Sequence, residues 1–128
     1  MMVFPVTSIL ASAAALALIV LSMMVSLSRM KLDAAHGDAG DPGLLRRIRA
    51  QGNYVEYVPI GLILIGLAEA CGVTAPILWT LGGLLALGRL LHALGTFRAS
   101  TSLRAAGMIA TYLSMLGASA LLLYLALA

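Results

Sequence analysis

Long apolar runs broken by two charged intervals set the pattern of this chain. Residues 1 to 28 hold no charged side chain. Crossing a bilayer takes about 20 apolar residues at ~1.5 Å rise each. The run therefore predicts a first transmembrane helix over about residues 4–28. A cleaved signal peptide is the rival reading, but it wants a cationic start, and "MMVFPVTSIL" has none. Residues 29–48, "RMKLDAAHGDAGDPGLLRRI", read as a polar loop with a turn signal at "GDPG" and a short helical lead-in before Arg49. A second span follows over about 53–71, and "CGVTAP" makes a short turn with Pro76 placed for the first turn of the next helix. A third span covers about 77–97, "RASTSLR" forms a second polar loop, and a fourth span covers about 105–127. The fold class expected is an all-α integral membrane protein, a four-transmembrane-helix bundle in one domain over 1–128.

Composition agrees with that pattern. The chain is 62% hydrophobic and 10% charged, with a mean hydropathy of +1.04, outside the range of ordinary soluble domains. A length of 128 residues leaves no room for a soluble catalytic module beside four spans, so function is expected within or at the edge of the bilayer. The net charge of +3 does not point to nucleic acid, because the cations flank apolar spans, where the positive-inside bias accounts for them. Arg29, Lys31, Arg46, Arg47 and Arg49 lie around the first loop, and Arg98 and Arg104 around the second. Neither terminal segment nor the turn between the second and third spans holds a Lys or Arg. Both basic loops are expected on the cytoplasmic side and both termini outside. Cys71 is the only cysteine, which rules out an intrachain disulfide and a thiolate cage; it reads as a packing residue.

The spans carry polar groups that cost ~2.5–3.5 kcal/mol each near a helix centre. Glu56, Arg89 and His92 stand out, with Glu69 closer to the outer turn. By residue count, Glu56 lies roughly 10 Å into the second helix and Arg89 roughly 12 Å into the third, both from the same side. The matching depth suggests an ion pair, whose bland role is to lock two helices. Arg49, Asn53, Glu56 and Tyr57 follow helical spacing and are expected on one face, with Gln51 pointing elsewhere. Arg89, His92 and Thr96 share a face of the third helix. Snorkelling accounts for Arg49 but not for the shorter Asn53 and Glu56. His92 alone reads as a hydrogen-bonded structural histidine, and no companion ligands at metal spacing accompany it, so no metal site is expected. The glycines of "LGGLLALG" and "AAGMIA" supply small residues for close helix approach, and Trp79 suits the outer headgroup level. A cationic, amide-rich mouth with one carboxylate suits a small zwitterion bearing several carboxylates, since Arg pairs bidentately with carboxylates and Glu56 can take an ammonium. Spacing and polarity support an anion-binding intramembrane site and do not name a ligand.

"RAQGNYVEYVP", residues 49–59, resembles the second-helix signature of the MAPEG family, the membrane-associated proteins of eicosanoid and glutathione metabolism. Its Arg, Asn, Glu and Pro fall on Arg49, Asn53, Glu56 and Pro59, and "GRLLHALG" with Arg104 resembles the bacterial branch. The resemblance implies a homotrimer in a bacterial inner membrane, with glutathione as co-substrate bound between protomers near the cytoplasmic side. It implies that Arg49, Asn53, Glu56 and Tyr57 contact glutathione, with Gln51 nearby. Arg29 would help hold a glutathione carboxylate, and Arg104 would stabilise the thiolate as the catalytic residue. Arg89 and His92 resemble the Arg-x-x-His pair of the prostaglandin synthase branch. The third-helix tyrosines of the synthases are missing here, where Thr96 and Phe97 stand. The function implied is a glutathione transferase or peroxidase acting on a lipophilic electrophile from the membrane lipid. Because the family also holds a member that binds lipid without turnover, a non-catalytic binding protein of the same fold is the alternative. A small four-helix proton-coupled exporter is the reading from another class; such exporters place their lone carboxylate in the first helix, away from cations.

Overall fold

The structure, a computed structural model, describes residues 3–128. Four helices account for nearly all of them: α1 (Pro5–Lys31), α2 (Pro42–Ala70), α3 (Ala75–Phe97) and α4 (Thr101–Leu127). Three of these, α1, α3 and α4, are long and apolar enough by themselves to cross a membrane, with mean hydropathies of 2.4, 1.6 and 1.7 over their best windows. α2 is the exception because its first half is polar; its apolar run begins only at Ile60.

The helix ends show why the loops are shorter than expected. Asp41 is the N-cap of α2, accepting from Leu44 N at 2.6 Å, and Pro42 opens the helix with its fixed φ. "GDPG" therefore starts α2, and Arg49 lies seven residues inside the helix rather than at its entrance. Ser100 caps α4 in the same way, so the second polar loop shrinks to residues 98–100 and Arg104 sits within the helix. At the other ends, α1, α2 and α3 all close in the Schellman pattern. In α3, Ser100 N donates to Gly95 O at 2.8 Å and Ala99 N to Thr96 O at 3.3 Å. Only α2 uses glycine at the left-handed position, Gly72 with φ +80°. Asp33 (φ 49°) and Ala99 (φ 54°) hold it in α1 and α3, where an L-residue costs roughly 1 kcal/mol or more.

Packing is uneven around the bundle. α3 and α4 pair most extensively, α1 leans on α2, and α1 has no contact with α4. The α3–α4 approach depends on glycine: a Cβ at Gly88 would lie 2.8 Å from Gly107 O, and one at Gly107 would lie 2.6 Å from Gly88 O. Small residues at a membrane helix interface allow this backbone proximity. Val6, Ile65, Ala68, Leu78 and Leu85 form the buried apolar core toward the α2–α3 turn. At that end the Glu69 carboxylate accepts from Val6 N at 2.9 Å and Thr7 N at 2.8 Å. It thus caps the start of α1, whose own N-cap, Phe4, supplies no side-chain acceptor.

Candidate functional site

The two basic connections meet at one end of the bundle. There α1, α2, α3, the start of α4 and both loops border an open polar cavity of about 900 Å³. Arg46, Arg49, Asn53 and Glu56 reach it from α2, Arg29 from the end of α1, His92 and Thr96 from α3, and Arg104 from α4; Asp38 borders it from the first loop. Arg46, Arg49, Asn53 and Glu56 recur at helical spacing, so one face of α2 floors the cavity. Four guanidiniums against two carboxylates leave the lining with an excess of positive charge. Arg29 Nη1 is buried without a hydrogen-bond partner, and such a group needs an acceptor. The positive end of α4 adds to the field near Arg104. The chemistry favoured is capture of a multiply anionic molecule, with Glu56 available to a cationic group.

Arg89 lies outside this lining. It is 5% exposed and ties three helices together. Its Nε and Nη2 donate to Thr111 Oγ1 at 3.0 and 2.6 Å, and Nη2 also faces Met108 Sδ at 3.4 Å. Nη1 donates to Asn53 Oδ1 at 2.5 Å and to Asn53 O at 3.5 Å. The guanidinium also stands over the Tyr57 ring, 5.2 Å from its centroid, a cation–π contact. The ion pair expected between Arg89 and Glu56 is therefore replaced by Asn53. The matching depth holds to within a turn, but Glu56, three residues on, is rotated about 60° round α2 toward the cavity.

Six of the nine residues expected in a site line the cavity together: Arg29, Arg49, Asn53, Glu56, His92 and Arg104. Arg89, Tyr57 and Gln51 do not. The Tyr57 hydroxyl lies 3.2 Å from that of Tyr112 on α4, and Gln51 Nε2 points to Ser22 Oγ on α1 at 3.5 Å. The Thr96 hydroxyl is spent on His92 O at 2.8 Å. Phe97 turns the other way, into an apolar groove of about 400 Å³ between α1 and α3 floored by Tyr54, Val58 and Leu62 of α2. Arg46 and Asp38 were not anticipated. Arg46 lies three residues before Arg49, so continuing the polar stripe back through the start of α2 would have found it; Asp38 reaches the site by a loop path that carries no periodicity. Among the described residues no group of three or more His, Cys, Asp or Glu is placed to hold a metal ion.

The chain is similar to the inner membrane protein YecN of Escherichia coli (strain K12), at 35% identity over 111 residues, covering 87% of this chain and 85% of that protein. The protein of the same name from Escherichia coli O6:H1 matches equally, at 35% over 111 residues. No solved structure gives a significant match. The model of the MAPEG family matches residues 7–124, a stretch that takes in all four helices and every residue of the polar cavity. Apolar four-helix frame, polar α2 face and family match coincide, and the chain belongs to the MAPEG family.

Proposed function

We propose that this protein is a glutathione-binding membrane transferase or peroxidase, working as a homotrimer with its polar cavity on the cytoplasmic side of the cell membrane. The observation that carries this reading is the meeting of Arg29, Arg46, Arg49 and Arg104 with Asn53 and Glu56 around one cavity. A peptide thiolate with more anionic groups than cationic ones fits that lining. The guanidiniums take its carboxylates, Glu56 takes its ammonium, and Arg104 at the positive end of α4 favours thiolate over thiol. The thiolate sulfur then attacks an electrophilic carbon of a lipophilic acceptor. A C–S bond forms and the leaving group departs with the electron pair. With a hydroperoxide, the thiolate instead attacks the terminal oxygen, the O–O bond breaks to release the alcohol and leave a sulfenic acid, and a second thiol converts that to the disulfide with loss of water. The inner-membrane description of the Escherichia coli relative supports the location.

Calorimetry on the detergent-purified protein tests the reading. Glutathione is expected to bind, and Arg49→Ala or Glu56→Ala to weaken it about tenfold or more, the scale of one lost charge-assisted contact. Absence of binding by the wild type would sink the proposal. A non-catalytic binding protein is favoured by one observation: α3 presents no phenol to the cavity, only the His92 imidazole and Thr96, whose hydroxyl proton is given to His92 O. Binding without turnover of aryl halides and lipid hydroperoxides would decide for it.

A further inference from the structure

We infer that Arg89 is a positioning residue for the cavity, acting by fixing which end of the Asn53 carboxamide meets the ligand. The inference rests on the reading of the cavity as a thiol-peptide site. A guanidinium has five N–H donors. In Arg89 they are directed at Thr111 Oγ1, Met108 Sδ, Asn53 Oδ1 and Asn53 O. Nothing is left over for a ligand, and Arg89 does not border the polar cavity. Its influence must pass through a neighbour that does, and Asn53 both accepts from Arg89 and lines the cavity.

The carboxamide has one acceptor end and one donor end. With Oδ1 held by Arg89 Nη1, the two N–H groups of Nδ2 are left to the cavity. The flipped amide would set NH₂ against a guanidinium, donor against donor beside a full positive charge. Arg89 is itself fixed, because Thr111 Oγ1 accepts from it while donating to Gly107 O at 2.9 Å, which uses the hydroxyl completely. Polarisation of Oδ1 by the guanidinium also strengthens the Nδ2 donors. Asn53 therefore presents donors only and selects an acceptor of the ligand, a carboxylate or a peptide carbonyl. The ammonium is left to Glu56, one turn along the same face.

Asn53→Asp separates this role from a structural one. The carboxylate keeps an acceptor for Arg89 and completes an ion pair, so thermal stability is expected to hold or rise. Both cavity N–H donors are lost and a negative charge replaces them, so glutathione affinity is expected to fall about tenfold or more. Asn53 is the only asparagine in the sequence. Selective ¹⁵N-asparagine labelling therefore gives one side-chain NH₂ pair, which is expected to shift on adding glutathione to the wild type. If Asn53→Asp binds glutathione as the wild type does, or the NH₂ pair stays unmoved when wild type binds, the positioning role is wrong while the site stands. If the wild type binds no glutathione, the site reading fails and the positioning role with it. Arg89→Lys adds a graded check: it keeps the charge and one reach toward Oδ1, and its affinity is expected between the two, whereas wild-type affinity in a folded Arg89→Lys counts against the role of the fork.

Discussion

Glu69 sits in the last turn of α2, at the end of its own helix where the dipole disfavours a carboxylate. Its two oxygens instead close the open start of α1 through Val6 N and Thr7 N. Glu69→Ala removes both acceptors and is expected to destabilise the protein by about 1 kcal/mol, the usual worth of a lost N-cap. Glu69→Gln keeps one oxygen and is expected to cost less. Thermal melts in detergent check both, and equal stability of wild type and Glu69→Ala would show that the cap contributes nothing. The contrast with Glu56 is instructive. Two carboxylates on one helix look alike in the sequence, yet Glu69 is satisfied by backbone N–H groups while Glu56 faces a cavity of guanidiniums. Arg89 shows the same limit: residue counting placed it correctly in depth and wrongly in partner.

At the scale of elements, α2 joins two characters, a polar half carrying the site and an apolar half carrying the core. Pro59 falls at their junction, where its missing N–H leaves the Val55 carbonyl without its helical donor. α3 and α4 act as one unit because glycine lets their backbones touch. A Cβ at Gly107 would lie 2.5 Å from His92 N, so Gly107→Val has no side-chain slack to absorb it and must part the helices. Parting them moves His92 and Arg104 together, since both line the cavity from this pair. The expected outcome is a loss of stability of roughly 1–3 kcal/mol, the cost of overpacking, together with weaker glutathione binding. Gly83, whose Cβ would meet nothing within 4 Å, supplies the control: Gly83→Ala is expected to leave both unchanged.

For the whole molecule, the two basic connections share one end and the α2–α3 turn occupies the other. The orientation proposed from the Lys and Arg distribution puts that turn outside the cell. Cys71 lies in it, exposed and the only cysteine. A membrane-impermeant maleimide added to spheroplasts is expected to label Cys71 in the wild-type protein without lysis. Labelling that appears only after permeabilisation would reverse the orientation.

The sequence by itself determined that this is a four-helix membrane protein, because the cost of burying charge in hydrocarbon leaves its mark residue by residue. It also pointed to most of the residues that line the polar cavity. Arg49, Asn53 and Glu56 share a helical period, His92 shares a face with Arg89, and Arg29 and Arg104 are singled out by the family resemblance. The tertiary structure decided what periodicity cannot carry: which residue of a turn meets which neighbour. Asn53 rather than Glu56 faces Arg89, Tyr57 turns to Tyr112, and Arg46 joins the site because an Asp41 cap and Pro42 start α2 seven residues before Arg49. About 60° round α2 separates Asn53 from Glu56. Which of the two meets Arg89 is set by how α2 packs against α3, through contacts between residues distant in the chain.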